Sequence, residues 1–267
     1  MPESIESAGL DRQQAAEDTG RWLRNTELLD LEDPKVRLRA RALTQLCKSE
    51  REKALAIYGY VKRMPFGKGF KLRMRTAREV MDSGSGDADD KAALLIALLR
   101  AARIPARLRY IEMRGEILRG LTSKIASGGR PVAEIWLAGR WMRTDTYIFD
   151  AAYMAAARQR LKDCDWEWGY GIHRDGDMIW NGASDAFLGG RPTEQDPMVM
   201  GDLGVYDDPL ELNASDRWRS SYPRFLRALR WNLLAPMMER VARGLREEAS
   251  GGGGAGGGRA PSPRRIG

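Results

Sequence analysis

The chain has 267 residues, a formal net charge of +7, 43% hydrophobic residues and 30% charged residues, a globular composition with enough length for one large core. Two cysteines and one histidine exclude a disulfide framework, and a His/Cys zinc site would need almost that whole supply. The longest apolar run, Ala92 to Leu99, is too short to span a bilayer, and the opening MPESIESAGLDRQQAAEDTG lacks the basic start and apolar stretch of a signal peptide, so a cytoplasmic protein without membrane insertion is expected.

Residues 1–32 are polar, and the acids Glu3, Glu6, Asp11, Glu17 and Asp18 predict a frayed or loosely helical start. After Asp33-Pro34, the spacing of Val36, Ala40, Leu43 and Cys47 predicts one face of a helix. Ser49 followed by Glu52 has the pattern of a capping box and opens a second helix, REKALAIYGYVKRM, ending before Pro65 and Gly67. The stretch SGSGDADDKAALLIALLRAARIP predicts a helix that is apolar on all sides and therefore central to the core, with Asp87 or Ser85 as its N-cap. ARLRYIEM reads as a strand, and Val132 to Ile148 as a hairpin turning at Ala138-Gly139. Its first strand alternates Ala133, Ile135 and Leu137 with Glu134 and Trp136, while Trp141 and Tyr147 supply aromatic bulk on the return. A helix, AAYMAAARQRL, follows.

From Lys162 the texture changes to Gly, Asp and Trp, which predicts an irregular segment with short strands or turns. A last amphipathic helix runs through SYPRFLRALRWNLLAPMMERVARGLREE, its apolar face formed by Phe225, Leu226, Leu229, Leu233 and Met237. Docking of that face on the protein's own body is favoured over a membrane surface, with a kink at Pro236. Residues 250–267 are Gly-rich and basic and are expected to be disordered. Arg259, Arg264 and Arg265 there carry three of the seven surplus charges. Arginines elsewhere are interspersed with Asp and Glu and no nucleic-acid motif is present, so nucleic acid is not an expected partner. A partner bound through the PSPRR tail would show steep salt dependence, lost on deleting residues 251–267.

The blocks REKALAIYGYV, GSGDADDKAALLIALLRAARIPARLRY and VAEIWLAGRWMRTDTYIFD resemble, in that order, the transglutaminase-like branch of the papain-like fold. The resemblance implies an α+β fold: a core over residues 33–160, its buried central helix packed on an antiparallel sheet, then an irregular and helical extension over 161–249 packed on that core. EILRGL and GYGIHRDG…W…SDAF resemble bacterial members with the same extension. In active members a Gly-x-Cys element opens the central helix and supplies the nucleophile, a His opens the hairpin's first strand, and an Asp follows a Trp on the second.

That chemistry needs a thiol at a helix N-terminus, where the macrodipole favours the thiolate. An imidazole moves the proton and a carboxylate orients the ring. Carried onto this sequence, the Cys position falls on Ala88, the His position on Arg130 and the Asp position on Asp145. Ala88 has no nucleophilic atom, and a guanidinium stays protonated and is no base. The resemblance thus implies a pseudoenzyme that uses its former cleft to hold a peptide, protein or small molecule, without cofactor or metal. The alternative is a biosynthetic enzyme of altered chemistry with Asp145, Glu134, Asp89 or Asp90 as general acid or base, for which a raised carboxylate pKa in a closed pocket would speak.

Asp87, Asp89 and Asp90 have a plain reading as helix-capping acids and a second as part of an ionic cleft, in which Arg130 forms a bidentate fork with Asp145 and also meets an acid at the helix start. Trp141 and Glu134 complete the candidate cleft. His173 follows Cys164 by nine residues, but no motif supports a second Cys–His site there, and a histidine bonded to the irregular backbone is the simpler reading. Asp175-Gly176-Asp177 is too short for a calcium loop, which spreads its ligands over about twelve residues.

Overall fold

The computed structural model describes residues 19–67, 69, 73–215 and 224–251. The expectations for the first eighteen residues and for the tail beyond Gly251 lie outside them. After a short 3-10 turn at Arg21–Leu23, the order is α1 (Pro34–Thr44), α2 (Glu50–Arg63), α3 (Ala77–Ser83), α4 (Ala88–Ala101), β1 (Ala106–Arg114), β2 (Ser127–Leu137), β3 (Arg140–Thr144) and α5 (Ala151–Asp163). Two-residue strands β4 (Trp168–Gly169) and β5 (Ile172–His173) come next, then β6 (Val199–Tyr206), α6 (Pro209–Ala214) and α7 (Arg224–Gly251).

Local chemistry sets most boundaries. Asp33 caps α1 by accepting from the Lys35 and Val36 N–H groups, with Pro34 in the first turn. The helix stops at Thr44, so only Val36 and Ala40 of the predicted face are fully buried and Cys47 lies beyond its end. Ser49 caps α2 through the Glu52 N–H. The Glu52 carboxylate accepts from the Lys48 N–H rather than returning to Ser49, so the predicted box closes one residue early. Helix α3 is an element the reading above omits, although Thr76 and Glu79 form a full capping box there.

Helix α4 is buried along its whole length from Asp90 to Arg100, as a helix apolar all round requires. It packs against α1, α2 and α3 and against β1 and β2. Near its C-terminal end Arg100 donates to the carbonyls of Ala106, Arg24 and Asp207, joining three segments.

One antiparallel sheet of order β3-β2-β1-β6 carries the core. The hairpin between β2 and β3 turns at Ala138 (φ 52°) and Gly139 (φ 79°). That pair of positive φ values belongs to the tight turns whose twist matches a hairpin. Ala133, Ile135 and Leu137 face the main core. The opposite face carries Val132 and, with Ile111, Met113, Ile117, Phe187 and Met198, a second apolar cluster beneath the segment that follows α5. The fourth strand, β6, also comes from residues 161–249, so this segment completes the sheet as well as packing on it.

Helix α7 docks on α5, but not through the face the sequence suggests. Leu234, Ala235, Met238, Ala242 and Leu245 are buried, while Leu233 is 72% and Met237 37% exposed. The buried row is displaced by one position, and Arg246, on the side of that row, reaches the Asp150 carboxylate. The side chains of Phe225, Leu226 and Leu229 lie outside the described ones. Pro236 sits within α7 on its exposed side. No described helix is long and apolar enough to cross a membrane.

Candidate functional site

The start of α4 is built from Ser85-Gly86-Asp87. Phe66 bridges in parallel to Gly86, and a Cβ at Gly86 would stand 2.7 Å from Asp90 Cβ, so only glycine admits this approach. Asp87 is the N-cap: its carboxylate accepts from the Asp90 N–H, and Asp90 returns the bond to the Asp87 N–H. Asp90 also pairs with Arg75 at 2.5 Å, and Asp89 accepts from the Tyr110 hydroxyl at 2.8 Å. Capping by Asp87 and Asp90 is therefore the role their geometry supports. Asp87→Ala is expected to cost about 1 kcal/mol of stability, with Asp87→Asn closer to the parent in a urea denaturation series. Ala88, half-buried, is the first residue of α4 and packs against the main core.

Arg130 and Asp145 meet on the other face of the hairpin. Arg130 Nη1 lies 3.3 Å from Asp145 Oδ2, and both side chains are buried. The predicted bidentate fork does not form, because Arg130 Nη2 turns to the Gly171 carbonyl at 2.6 Å. The second carboxylate oxygen of Asp145 accepts from the Leu188 N–H at 2.7 Å. Both residues thus fasten the segment after α5 onto the sheet. Burial pushes the Asp145 carboxyl up, and the Arg130 charge and the Leu188 N–H oppose it. Tyr147 stands within electrostatic reach of both Asp145 and Asp89. Its hydroxyl donates to the Pro131 carbonyl, and burial raises its phenol well above the ordinary range, with Asp145 and Asp89 adding to the rise and Arg130 opposing it.

Three residues of the predicted cleft have other duties. Glu134, 2% exposed, accepts from Arg107 at 2.5 Å and Arg109 at 2.7 Å. Trp141 packs edge-on to Trp136 with centroids 5.3 Å apart, and the Arg107 guanidinium sits 4.1 Å over its ring. They form an arginine–tryptophan layer further along the sheet. His173 is buried beside Trp168. Its Nε2 is 3.2 Å from Asp196 Oδ1, off the line of a hydrogen bond, and Nδ1 has no hydrogen-bond partner among the described residues. Its backbone N–H donates to the Leu188 carbonyl, while neither ring nitrogen bonds to a backbone group among the described residues. Cys164 is exposed at the end of α5. Among the described residues no cluster of three His, Cys, Asp or Glu side chains is arranged to hold a metal.

Four further residues form a buried group that sequence reasoning missed. Lys91 is 0% exposed and donates to the Met64 carbonyl at 2.7 Å. Lys62 donates to the Thr146 carbonyl at 2.6 Å and lies 2.9 Å from Met154 Sδ. Asp150, the N-cap of α5, accepts from the Tyr153 and Phe66 N–H groups and from Arg246 of α7. Arg246 also donates to the Phe66 carbonyl. Burial pushes Lys62 down to about 8, against the pull of Asp150 and Asp145. Lys91 falls well below the ordinary lysine range for the same first reason, with Lys62 and Arg246 adding to the fall and Asp150 resisting it. Burial alone would raise Asp150, but the bonds from Arg246, Phe66 and Tyr153 hold it below the usual carboxylate range. The signal was present in the sequence: Lys91 interrupts a helix already read as buried on every side.

Residues 37–146 match the model of the transglutaminase-like superfamily. That stretch is transglutaminase-like. Its helices precede its antiparallel sheet, the α+β order the resemblance implies. Among solved structures, a candidate cysteine protease from Cytophaga hutchinsonii aligns at 20% identity and a TM-score of 0.39, over 47% of this chain and 40% of that one. A candidate protease from Parabacteroides distasonis aligns at 18% identity and a TM-score of 0.33, over 48% of this chain and 25% of that one. The chain thus spans less than half the length of either structure. Among curated proteins no sequence matches the chain. The transglutaminase-like match ends at Thr146, so α5, the Gly171 and Leu188 contacts and α7 all lie outside the matched stretch.

Proposed function

We propose that this transglutaminase-like domain is a catalytically inactive cytoplasmic module that binds a peptide, protein or small molecule. The observation that carries the reading is the occupancy of Asp145: one oxygen faces Arg130 and the other accepts from the Leu188 N–H. An imidazole in place of Arg130 would take that first oxygen in a working triad. A guanidinium there orients the carboxylate equally well and transfers no proton at neutral pH. Ala88 leaves the helix start without a nucleophile. With Arg130 and Asp145 buried, a partner would be held by the half-buried Ala88–Asp89 rim rather than by the ion pair itself.

The test combines an amine donor, a glutamine-containing acceptor and a thiol-directed alkylating probe. The chain and its Ala88→Cys variant are expected to give no amine incorporation, although Ala88→Cys should label with the probe at position 88 in addition to the parent's own Cys47 and Cys164. Residue-dependent incorporation by the unaltered chain would overturn the reading.

A second reading, an enzyme using Asp145 as general acid, draws on the upward push that burial gives its carboxyl. It is disfavoured because Asp145 is 2% exposed and both its oxygens are already engaged.

A further inference from the structure

The group around Asp150 brings three cations to one carboxylate: Lys62 from α2, Lys91 from α4 and Arg246 from α7. Asp145 also faces Lys62, but it is matched by Arg130. In the docked molecule Arg246 takes Asp150 by both Nε and Nη2, leaving Lys91 with one carbonyl and Lys62 with one carbonyl and a thioether. An ammonium so placed has donors with no acceptor and a neighbouring like charge, a costly state away from water.

We propose that docking of α7 is linked to proton release from Lys62 and Lys91, so that proton uptake by the two buried lysines loosens the C-terminal helix. The argument is one of competition. Lifting α7 withdraws Arg246 and returns the Asp150 carboxylate to the lysines, which then hold their protons more tightly. By reciprocity, conditions that protonate the lysines favour the lifted state. Lys62, at about 8, places part of this response near neutral pH.

The other contacts of α7 fit a separable element. Among the described residues its other ion pair to α5 is the exposed Arg160–Glu248, and its buried apolar residues are Leu234, Ala235, Met238, Ala242 and Leu245, with Val241 partly buried beside them. What it covers is the approach to the helix start. An added Cβ at Gly67 would stand 3.4 Å from both Ser85 and Glu239 of α7, and Phe66 bridges to Gly86, two residues before Ala88. The linkage stands whether the domain binds or catalyses.

Backbone hydrogen exchange of the full chain between pH 6.5 and 9, corrected for intrinsic rates, tests the proposal. Amides at 234–246 are expected to open separately from α4 at the low end, with an opening constant that falls by up to roughly tenfold per pH unit for each proton released. In Lys62→Met/Lys91→Met that pH dependence should vanish. Opening of α7 only together with α4, or a separate opening indifferent to pH, would overturn the proposal. A readout that does not need the lysine variant to fold is the NMR titration of the lysine Cε signals in the parent and in Arg246→Gln. The midpoints should move up in Arg246→Gln, and unchanged midpoints would overturn the linkage equally.

Discussion

Arg130→Leu is expected to destabilise the domain by about 3–5 kcal/mol, the usual cost of stranding one partner of a buried ion pair. Asp145 would remain 2% exposed with only the Leu188 N–H to stabilise its charge, and the Gly171 carbonyl would lose its donor. Urea denaturation at constant m-value is the measurement. Asp145 already titrates above its ordinary 3.8 because of burial, and removing Arg130 takes away the strongest opposing charge. A group whose folded pKa is raised favours the folded state below its unfolded pKa and loses that contribution as pH climbs through the folded value. The deficit of Arg130→Leu should therefore be small near pH 4 and grow toward neutrality. The double variant Arg130→Leu/Asp145→Leu removes both charges and should recover most of the loss. A deficit under about 1 kcal/mol at pH 7, against the 3–5 expected for a stranded buried partner, would mean that the pair does not hold the later segment to the sheet.

The sequence made legible what depends on local chemistry. The all-apolar run predicts α4 as the buried centre, with Asp87 or Ser85 before that run as its cap, and the structure selects Asp87. Ala138-Gly139 predicts the hairpin turn because a glycine there falls between two strand-like runs. The Arg130–Asp145 pairing was also legible, through the family resemblance, but its geometry was not. A second acceptor, the Gly171 carbonyl, lies 41 residues away in sequence, and nothing local announces it. Strand β6 escaped for a similar reason. Its pairing to β1 has register shifts at Tyr110/Ile111 and Glu112/Met113, and an irregular edge strand containing Gly201 and Gly204 lacks clean alternation. Neither the strand pattern of Glu134 nor the aromatic bulk of Trp141 announced that Arg107 would claim both and Arg109 the Glu134 carboxylate as well. For α7, amphipathicity signals a docking helix, while the choice of face turned on Arg246 reaching a carboxylate 96 residues earlier.

Asp150→Asn addresses that carboxylate directly and should be among the most damaging single changes in the chain, at about 3–5 kcal/mol near pH 7. Asparagine still offers one oxygen to the Tyr153 or Phe66 N–H, so the capping loss is partial. The larger effect is that Lys62, Lys91 and Arg246 lose the one carboxylate they share. The pH dependence separates the two contributions. Lys62 falls from 10.5 to about 8 on folding, so between those values the unfolded chain binds more protons than the folded one and stability rises with pH. Below about 8 that cost is fully present and constant, on the order of 3 kcal/mol at about 1.4 kcal/mol per unit. Without Asp150 both lysines titrate lower still, and the rising limb extends to lower pH. The deficit of Asp150→Asn should therefore be largest near pH 7 and shrink as pH climbs past about 8, where Lys62 is neutral in the folded parent as well as in the variant. Lys91→Met should move oppositely, from neutral to stabilising at pH 7, since it removes a buried amine that has one carbonyl partner. A pH-independent deficit in Asp150→Asn would reduce Asp150 to a helix cap and leave the buried lysines to be balanced by some other group.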